Sequence, residues 1–423
     1  SAGGVRIMRR FSILLLIAAA APAAERPTLV LREEARVAVA RGDFDTARKV
    51  LTQAVAAQPD SPALLLELAA VAARQDDGAA AIAALEKIAA LGAAPPAERD
   101  PRFASLQGTA PFRRVMQAFS QVREPAGPVD ELINLPGRNG IIEGITWRAR
   151  TGDLFLGDVR HRGIWRRDRE GRVARFSAED ESLLGIFGLA IDEVRGLLWA
   201  AMSAVPEMEG FAAEMKGTGA LAAFSLATSE LVRVVEVPDD GREHGLGDLH
   251  IAEDGTVYAT DAKAPVIWKL EPGAEELQRF AEERSLVSLQ GIVRWRDDFI
   301  VADYQRGLFA VSPADGRFRQ LLPPPGASLV GLHGLVTTPA GIAATQAGIT
   351  PERVVLLVPS DAEDRVSSVA VLASGHPGLN DLGLITLVNQ QPTWVSGAGW
   401  DAPVTTPAAN RGRTVRILQT RLP

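Results

Sequence analysis

One short phrase recurs through the last two thirds of this 423-residue chain, and it constrains the fold more than anything else in the sequence. It reads Glu143-Gly144-Ile145, Phe187-Gly188-Leu189, Gly247-Asp248-Leu249, Gln290-Gly291-Ile292, His333-Gly334-Leu335 and Asn380-Asp381-Leu382, at successive spacings of 44, 60, 43, 43 and 47 residues. After most of these phrases comes a second apolar run, ending at Asp158, Asp261 or Asp303. A third follows, carrying Trp165, Trp268 or Phe309 at matching positions. Short alternating runs separated by Gly, Asp and Pro are strand signals, and a period of about 40–50 residues is that of sheets stacked around an axis. The expectation is an all-β six-bladed propeller over residues 130–423. The last unit is one strand short, and residues 131–135 are placed to supply it and so leave no open edge. The recurring Asp residues are expected to cap turns, and the aromatics to pack blade against blade.

Residues 25–125 have another texture, rich in Ala, Leu, Glu and Arg with helical spacing of the apolar positions. The run beginning at Ala47 matches the run beginning at Ala81, an offset of 34, the tetratricopeptide period. This predicts a small all-α helical-repeat segment, with Ala47 and Ala81 at close helix contacts and Leu51 and Leu85 in the seam. Arg41-Gly42-Asp43 and Asp76-Asp77-Gly78 form the turns, and Phe112, Val115, Met116 and Phe119 line a closing helix. Two repeats are fewer than a free-standing solenoid needs, so the segment is expected to lean on another body.

Residues 1–24 read as a signal peptide: Met8, Arg9 and Arg10, an apolar run, then Ala21-Pro22-Ala23 as an exit. The run is shorter than the roughly 20 residues of a membrane-spanning helix. An exported, periplasmic or secreted protein without a transmembrane span is expected. The chain carries a net charge of −7 and no cysteine. That excludes disulfides, thiol catalysis and thiolate metal sites, and gives no basic surface for nucleic acid. Nucleophile-elbow and phosphate-cradling motifs are absent from the sequence.

In a propeller, the start of each first strand and the end of each second strand share one face. This gathers Glu143, Phe187, Gly247 with Asp248, Gln290, His333 and Asn380 with Asp381 at a channel mouth. The loops after the second strands add Arg160, His161, Lys263, Tyr304 and Arg306, and residues 203–219 form an insertion long enough to be a binding loop or a surface excursion. Glu143, Gln290 and His333 offer oxygen and nitrogen ligands for a divalent metal, calcium or a transition ion. Asp248, His333 and Asp381 are the catalytic candidates, with a metal or His333 itself activating water. Arg160, Lys263 and Arg306 would bind a negatively charged small-molecule substrate. His244 and His250 are expected to be structural.

The phrase Glu143-Gly144-Ile145-Thr146-Trp147, the runs ending at Asp158 and Asp168, and the stretch from Gly247 to Asp261 resemble the gluconolactonase, regucalcin and luciferin-regenerating-enzyme family of six-bladed propellers. The resemblance implies a divalent cation held by Glu, Asn and Asp that activates lactone hydrolysis. Glu143 matches the first ligand, Gln290 stands at the Asn position and His333 at the Asp position. A substrate-contacting Asn of the family falls at Gly247, beside Asp248. Two functions are therefore expected to compete: an exported lactonase-like hydrolase, and a non-catalytic binding or scaffolding protein whose helical repeats hold a protein partner.

Overall fold

The computed structural model describes residues 28–136, 140–360, 362–401 and 414–423. The signal-peptide reading of residues 1–24 therefore falls outside the described residues.

The 34-residue period is visible in the backbone. Helices α1 (Thr28–Ala40) and α2 (Phe44–Ala57) are followed by α3 (Pro62–Arg74) and α4 (Gly78–Ala90), each second-pair helix starting 34 residues after its counterpart. Both hairpins turn through a left-handed residue, Gly42 at φ 76° and Asp76 at φ 57°. The next residue caps the following helix: Asp43 accepts the Thr46 N–H and Asp77 the Ala80 N–H, each at 3.0 Å. Such a cap gives the first-turn N–H groups a partner that the helix itself cannot supply. Ala47, Leu51, Ala81 and Leu85 are all buried, and α5 (Ala110–Arg123) closes the unit with Phe112, Val115 and Phe119.

Among the described residues, the strands form six four-stranded sheets. Their innermost strands are Ile142–Arg148, Gly185–Asp192, Leu246–Ile251, Leu289–Trp295, Leu332–Thr338 and Ile385–Val388. Asp130–Pro136 pairs antiparallel with Thr414–Gln419, so the strand before the first blade becomes the outer strand of the sixth. The two ends of the propeller are thereby hydrogen-bonded into one sheet.

Crowding at the axis explains the glycine in the repeated phrase. A Cβ on Gly144 would stand 1.9 Å from the Phe187 carbonyl oxygen, and one on Gly383 would stand 2.8 Å from that of Glu143. Adjacent inner strands meet there without room for a side chain. This locates the sixth phrase two residues later than its sequence suggested. Gly383, not Asp381, occupies the glycine position, and the Leu384 N–H donates to the Glu143 carbonyl at 2.9 Å.

The recurring Asp residues cap turns. Asp303 accepts four backbone N–H groups, from Val287, Ser288, Gln305 and Arg306. Asp158 and Asp261 each accept a Trp indole N–H, from Trp165 and Trp268. His244 lies buried between Asp261 (2.7 Å) and Asp240 (2.9 Å). Burial takes the His250 pKa down to about 4, against the edge of Phe299.

The helical unit rests on blades four and five, on the face where first strands begin and second strands end. Gln58 donates to the Gln305 carbonyl at 2.5 Å, and Asp60 accepts the Leu329 N–H at 3.1 Å. Ala94 N–H donates to the Thr350 carbonyl at 2.6 Å, and Arg353 reaches the Gly92 carbonyl at 3.2 Å. The two expected repeats thus find the supporting body they need. The insertion between blade-two strands packs instead against blade one: Met208 is buried, and Glu209 N–H donates to the Arg160 carbonyl at 2.8 Å.

Candidate functional site

Glu143 and His333 come from blades one and five, 190 residues apart in sequence, yet their side chains touch. Blade six makes this possible, because its equivalent positions are Leu382 and Gly383, which keep the intervening strand clear of large polar groups. His333 Nε2 stands 3.0 Å from Glu143 Oε1. Oε1 is buried and, apart from this contact, has no polar partner among the described residues. The other oxygen, Oε2, accepts the Trp400 indole N–H at 2.5 Å.

His333 Nδ1 lies 3.2 Å from the Leu382 carbonyl. A carbonyl only accepts, so Nδ1 carries a proton and Nε2 is the nitrogen turned toward Glu143. Burial disfavours the imidazolium, but the Glu143 charge, its contact, the Leu382 carbonyl and Asp248 outweigh it, and the His333 pKa lies above its ordinary value. The pair is therefore a buried carboxyl and imidazole in direct contact.

Asp248 occupies the position that is glycine in the other five blades. Its carboxylate accepts the Leu249 N–H at 2.9 Å and is also bonded by the Ile292 N–H of the next blade. Burial dominates, and the carboxyl pKa is raised to about 7. Asp381, at φ 51°, accepts the Gly399 and Trp400 N–H groups at 2.6 and 3.0 Å. It thus holds the loop that aims Trp400 at Glu143, rather than presenting a free base. Gln290 donates to the Ser288 hydroxyl at 2.8 Å.

Three half-buried residues complete the mouth: Tyr304, which was expected there, and Trp400 and Glu352, which were not. Tyr304 stacks edge-on to His333 with ring centroids 6.3 Å apart, and burial with Glu352 and Glu143 nearby pushes its pKa up to about 12. Trp400 lies 5.8 Å from Phe187. Glu352 accepts the Asp381 and Leu382 N–H groups at 3.0 and 2.8 Å. Glu352 and Trp400 follow the second strands of blades five and six. That loop position already singled out Tyr304, and it was the signal that could have found them.

The three expected substrate cations face different surroundings. Lys263 Nζ lies 3.8 Å from Glu243, and Arg306 donates to the Ser285 carbonyl at 3.3 Å beside a cavity of about 100 Å³ at the seam with the helical unit. Arg160 has a buried Nε without a partner.

A divalent cation does not fit these residues as they stand. His333 Nε2 is turned to Oε1 of Glu143, Gln290 is turned to Ser288, and Oε2 of Glu143 is taken by Trp400. Among the described residues, no group of three or more His, Asp or Glu side chains is placed to hold a metal ion. Nor is any helix among them long and apolar enough to cross a membrane.

The tetratricopeptide repeat family matches residues 32–98. Solved structures of similar fold include a putative oxidoreductase (glucose dehydrogenase) from Thermus thermophilus, at 14% identity and TM-score 0.49 over 70% of this chain and 99% of that one. A gluconolactonase from Xanthomonas campestris is 14% identical with TM-score 0.47, over 68% and 89%. Virginiamycin B lyase from Staphylococcus aureus is 11% identical with TM-score 0.45, over 70% and 99%. No curated protein matches the chain. Likeness this distant says nothing of activity, which must be read from the site.

Proposed function

We propose that the channel mouth binds a small cyclic ester and hydrolyses it by acid–base chemistry carried by Glu143 and His333. The observation behind this reading is the buried contact of Glu143 Oε1 with His333 Nε2, 3.0 Å apart at the channel mouth. Apart from the imidazole, Oε1 has no polar partner, so it can accept from a water or a ligand that enters the mouth.

In this reading a water donates to Oε1, and its oxygen attacks the acyl carbon while its proton passes to Glu143. The carbonyl oxygen takes the negative charge and faces the His333 imidazolium. Collapse breaks the ring C–O bond, and the proton on Glu143 goes to the departing ring oxygen. One water is consumed, leaving a hydroxy acid. Asp248, with its pKa about 7, is a second carboxyl able to exchange protons near neutrality. Phe187, Trp400 and Tyr304 supply apolar walls. Arg160, with its unpartnered Nε, favours a substrate that carries a negative charge. Action outside the cytoplasm rests on the leader-like residues 1–24.

The test is hydrolysis of five- and six-membered lactones, neutral and carboxylate-bearing, with chelator present and absent. His333→Gln is expected to lower kcat by about 100-fold or more. Turnover that survives in this variant, or that needs an added divalent cation, defeats the proposal.

A second reading, a binding or scaffolding protein, is favoured by the tetratricopeptide match and a groove of about 560 Å³ in the helical unit, bordered by Arg32, Arg36, Arg74 and Arg102. A stoichiometric protein partner together with no hydrolysis across the lactone panel would favour it.

A further inference from the structure

His333 makes its two contacts from a ring whose orientation is fixed at Nδ1 by the Leu382 carbonyl. That carbonyl belongs to a tight bend: Asp381 has φ 51°, a left-handed conformation that among residues other than glycine is taken mostly by Asn, Asp and His. The bend has no strand partner of its own at Asp381 and Leu382. Their N–H groups are instead held by the two oxygens of one carboxylate, Glu352, at 3.0 and 2.8 Å. Charged acceptors make stronger bonds to backbone N–H than neutral ones do, so this carboxylate sets where the Leu382 carbonyl stands.

Glu352 ends a six-residue loop, 347–352, between the second and third strands of blade five, Gly341–Gln346 and Arg353–Pro359. The same loop is gripped by the helical unit. Ala94 N–H donates to Thr350 at 2.6 Å. The next residue, Arg353, is buried and bridges Gln346 Oε1 (2.7 Å) and the Gly92 carbonyl (3.2 Å). Gly348, in the same loop, leaves the Tyr304 ring its space, since a Cβ there would stand 3.1 Å from that ring. One short segment therefore touches the helical unit, Tyr304 and the support of His333.

We propose that Glu352 is a positioning residue for His333, and that loop 347–352 carries the docking of the helical unit into the channel mouth. Anything that shifts residues 92–94 against blade five moves the imidazole that faces Glu143. The inference rests on the reading of the mouth as the reacting site, and it adds regulation from the helical side.

The experiment uses the full chain and two readings: steady-state kinetics on a lactone that the native protein opens, and ¹⁵N spectra of the histidine rings at one fixed pH. Glu352→Ala is expected to lower kcat by about tenfold or more with KM within about twofold, since misplacing a reacting group by a fraction of an ångström is felt in turnover first. It is also expected to shift the His333 ring signals while those of His244 and His250 stay in place. Glu352→Gln keeps one carbonyl oxygen for one of the two N–H groups and should recover part of both losses. If the alanine variant does not fold, the glutamine variant is read for the same two changes against the native protein.

Arg353→Lys keeps the charge but loses the two-armed bridge, and should shift the same His333 signals by less. Unchanged His333 signals in the Glu352 variants overturn the positioning role, as does an equal shift in His333, His244 and His250. Unchanged signals in Arg353→Lys overturn the link to the helical unit. If the native protein opens no lactone, the hydrolytic reading fails, while the spectra still decide the role of Glu352.

Discussion

The acidic residues of the helical unit and those of the channel mouth are displaced in opposite directions. In the helical unit, Asp43 and Asp77 cap helices, and Glu98 and Asp100 sit beside Arg123 and Arg102. Hydrogen bonds to backbone N–H and guanidinium groups hold all four below the ordinary carboxylate range. At the mouth, burial pushes Asp248, Glu352 and Asp381 upward despite the backbone N–H groups bonded to each. The first group stabilises the fold by being charged. The second is charged at a cost, which a fold does not need and a site uses. Asp60 is the exception that locates the boundary: it belongs to the helical unit, yet burial in the seam with the propeller raises its pKa too.

The strongest way to break the comparison is steric. Gly144→Val puts a branched side chain where even a Cβ would stand 1.9 Å from the Phe187 carbonyl. Because the ring is closed through the pairing of Asp130–Pro136 with Thr414–Gln419, strain in one blade cannot be relieved by opening an end. A loss of about 3 kcal/mol or more is expected, read by chemical denaturation of the propeller. A variant as stable as the native protein would mean that the inner strands are not held at this distance.

A smaller effect sharpens the electrostatic contrast. The folded pKa of Asp248, about 7, is above its unfolded value near 3.8, so the native state holds more protons between them. Its contribution is fully present below the unfolded value and is lost as pH rises through the folded one. Asp248→Asn is expected to remove that part of the decline, flattening the melting profile by about 5 °C between roughly pH 4.5 and 7.5. Parallel melting profiles for the two proteins would show that burial at this site costs nothing.

The smallest effect has the opposite sign in pH. Asp77 has a lowered pKa, so its contribution is present above the unfolded value and is lost as pH falls through the folded one. Asp77→Ala is expected to lower melting by about 3 °C at neutral pH and by less in acid. Equal loss at both pH values would assign the residue a role other than capping.

Much of the architecture could be read from the residues themselves. The 34-residue offset returned as matched helices, matched left-handed turns and matched Asp caps, since each of these depends on neighbours a few positions away. The blade phrase returned as the inner strands, and residues 131–135 lie in the strand that closes the ring. The site was legible only in part. Glu143 and His333 were singled out together because both occupy the same place in a repeated phrase. The sixth phrase was placed two residues early, since Asn380-Asp381-Leu382 imitates the polar-then-apolar rhythm while Gly383 carries the contact. Glu352 and Trp400 sit in loops after second strands, the position that singled out Tyr304, but no repeated residue type marks them there.

Sequence alone determined the number and kind of units, because periodic apolar spacing and turn residues act over short range and are written in order along the chain. Only the tertiary structure decided which polar groups meet. Closing six sheets on a common axis brings residues from blades one, three, five and six together across distances in sequence that no local pattern records. Burial there, rather than residue type, displaces the pKa values of Asp248, Glu352 and Asp381 upward.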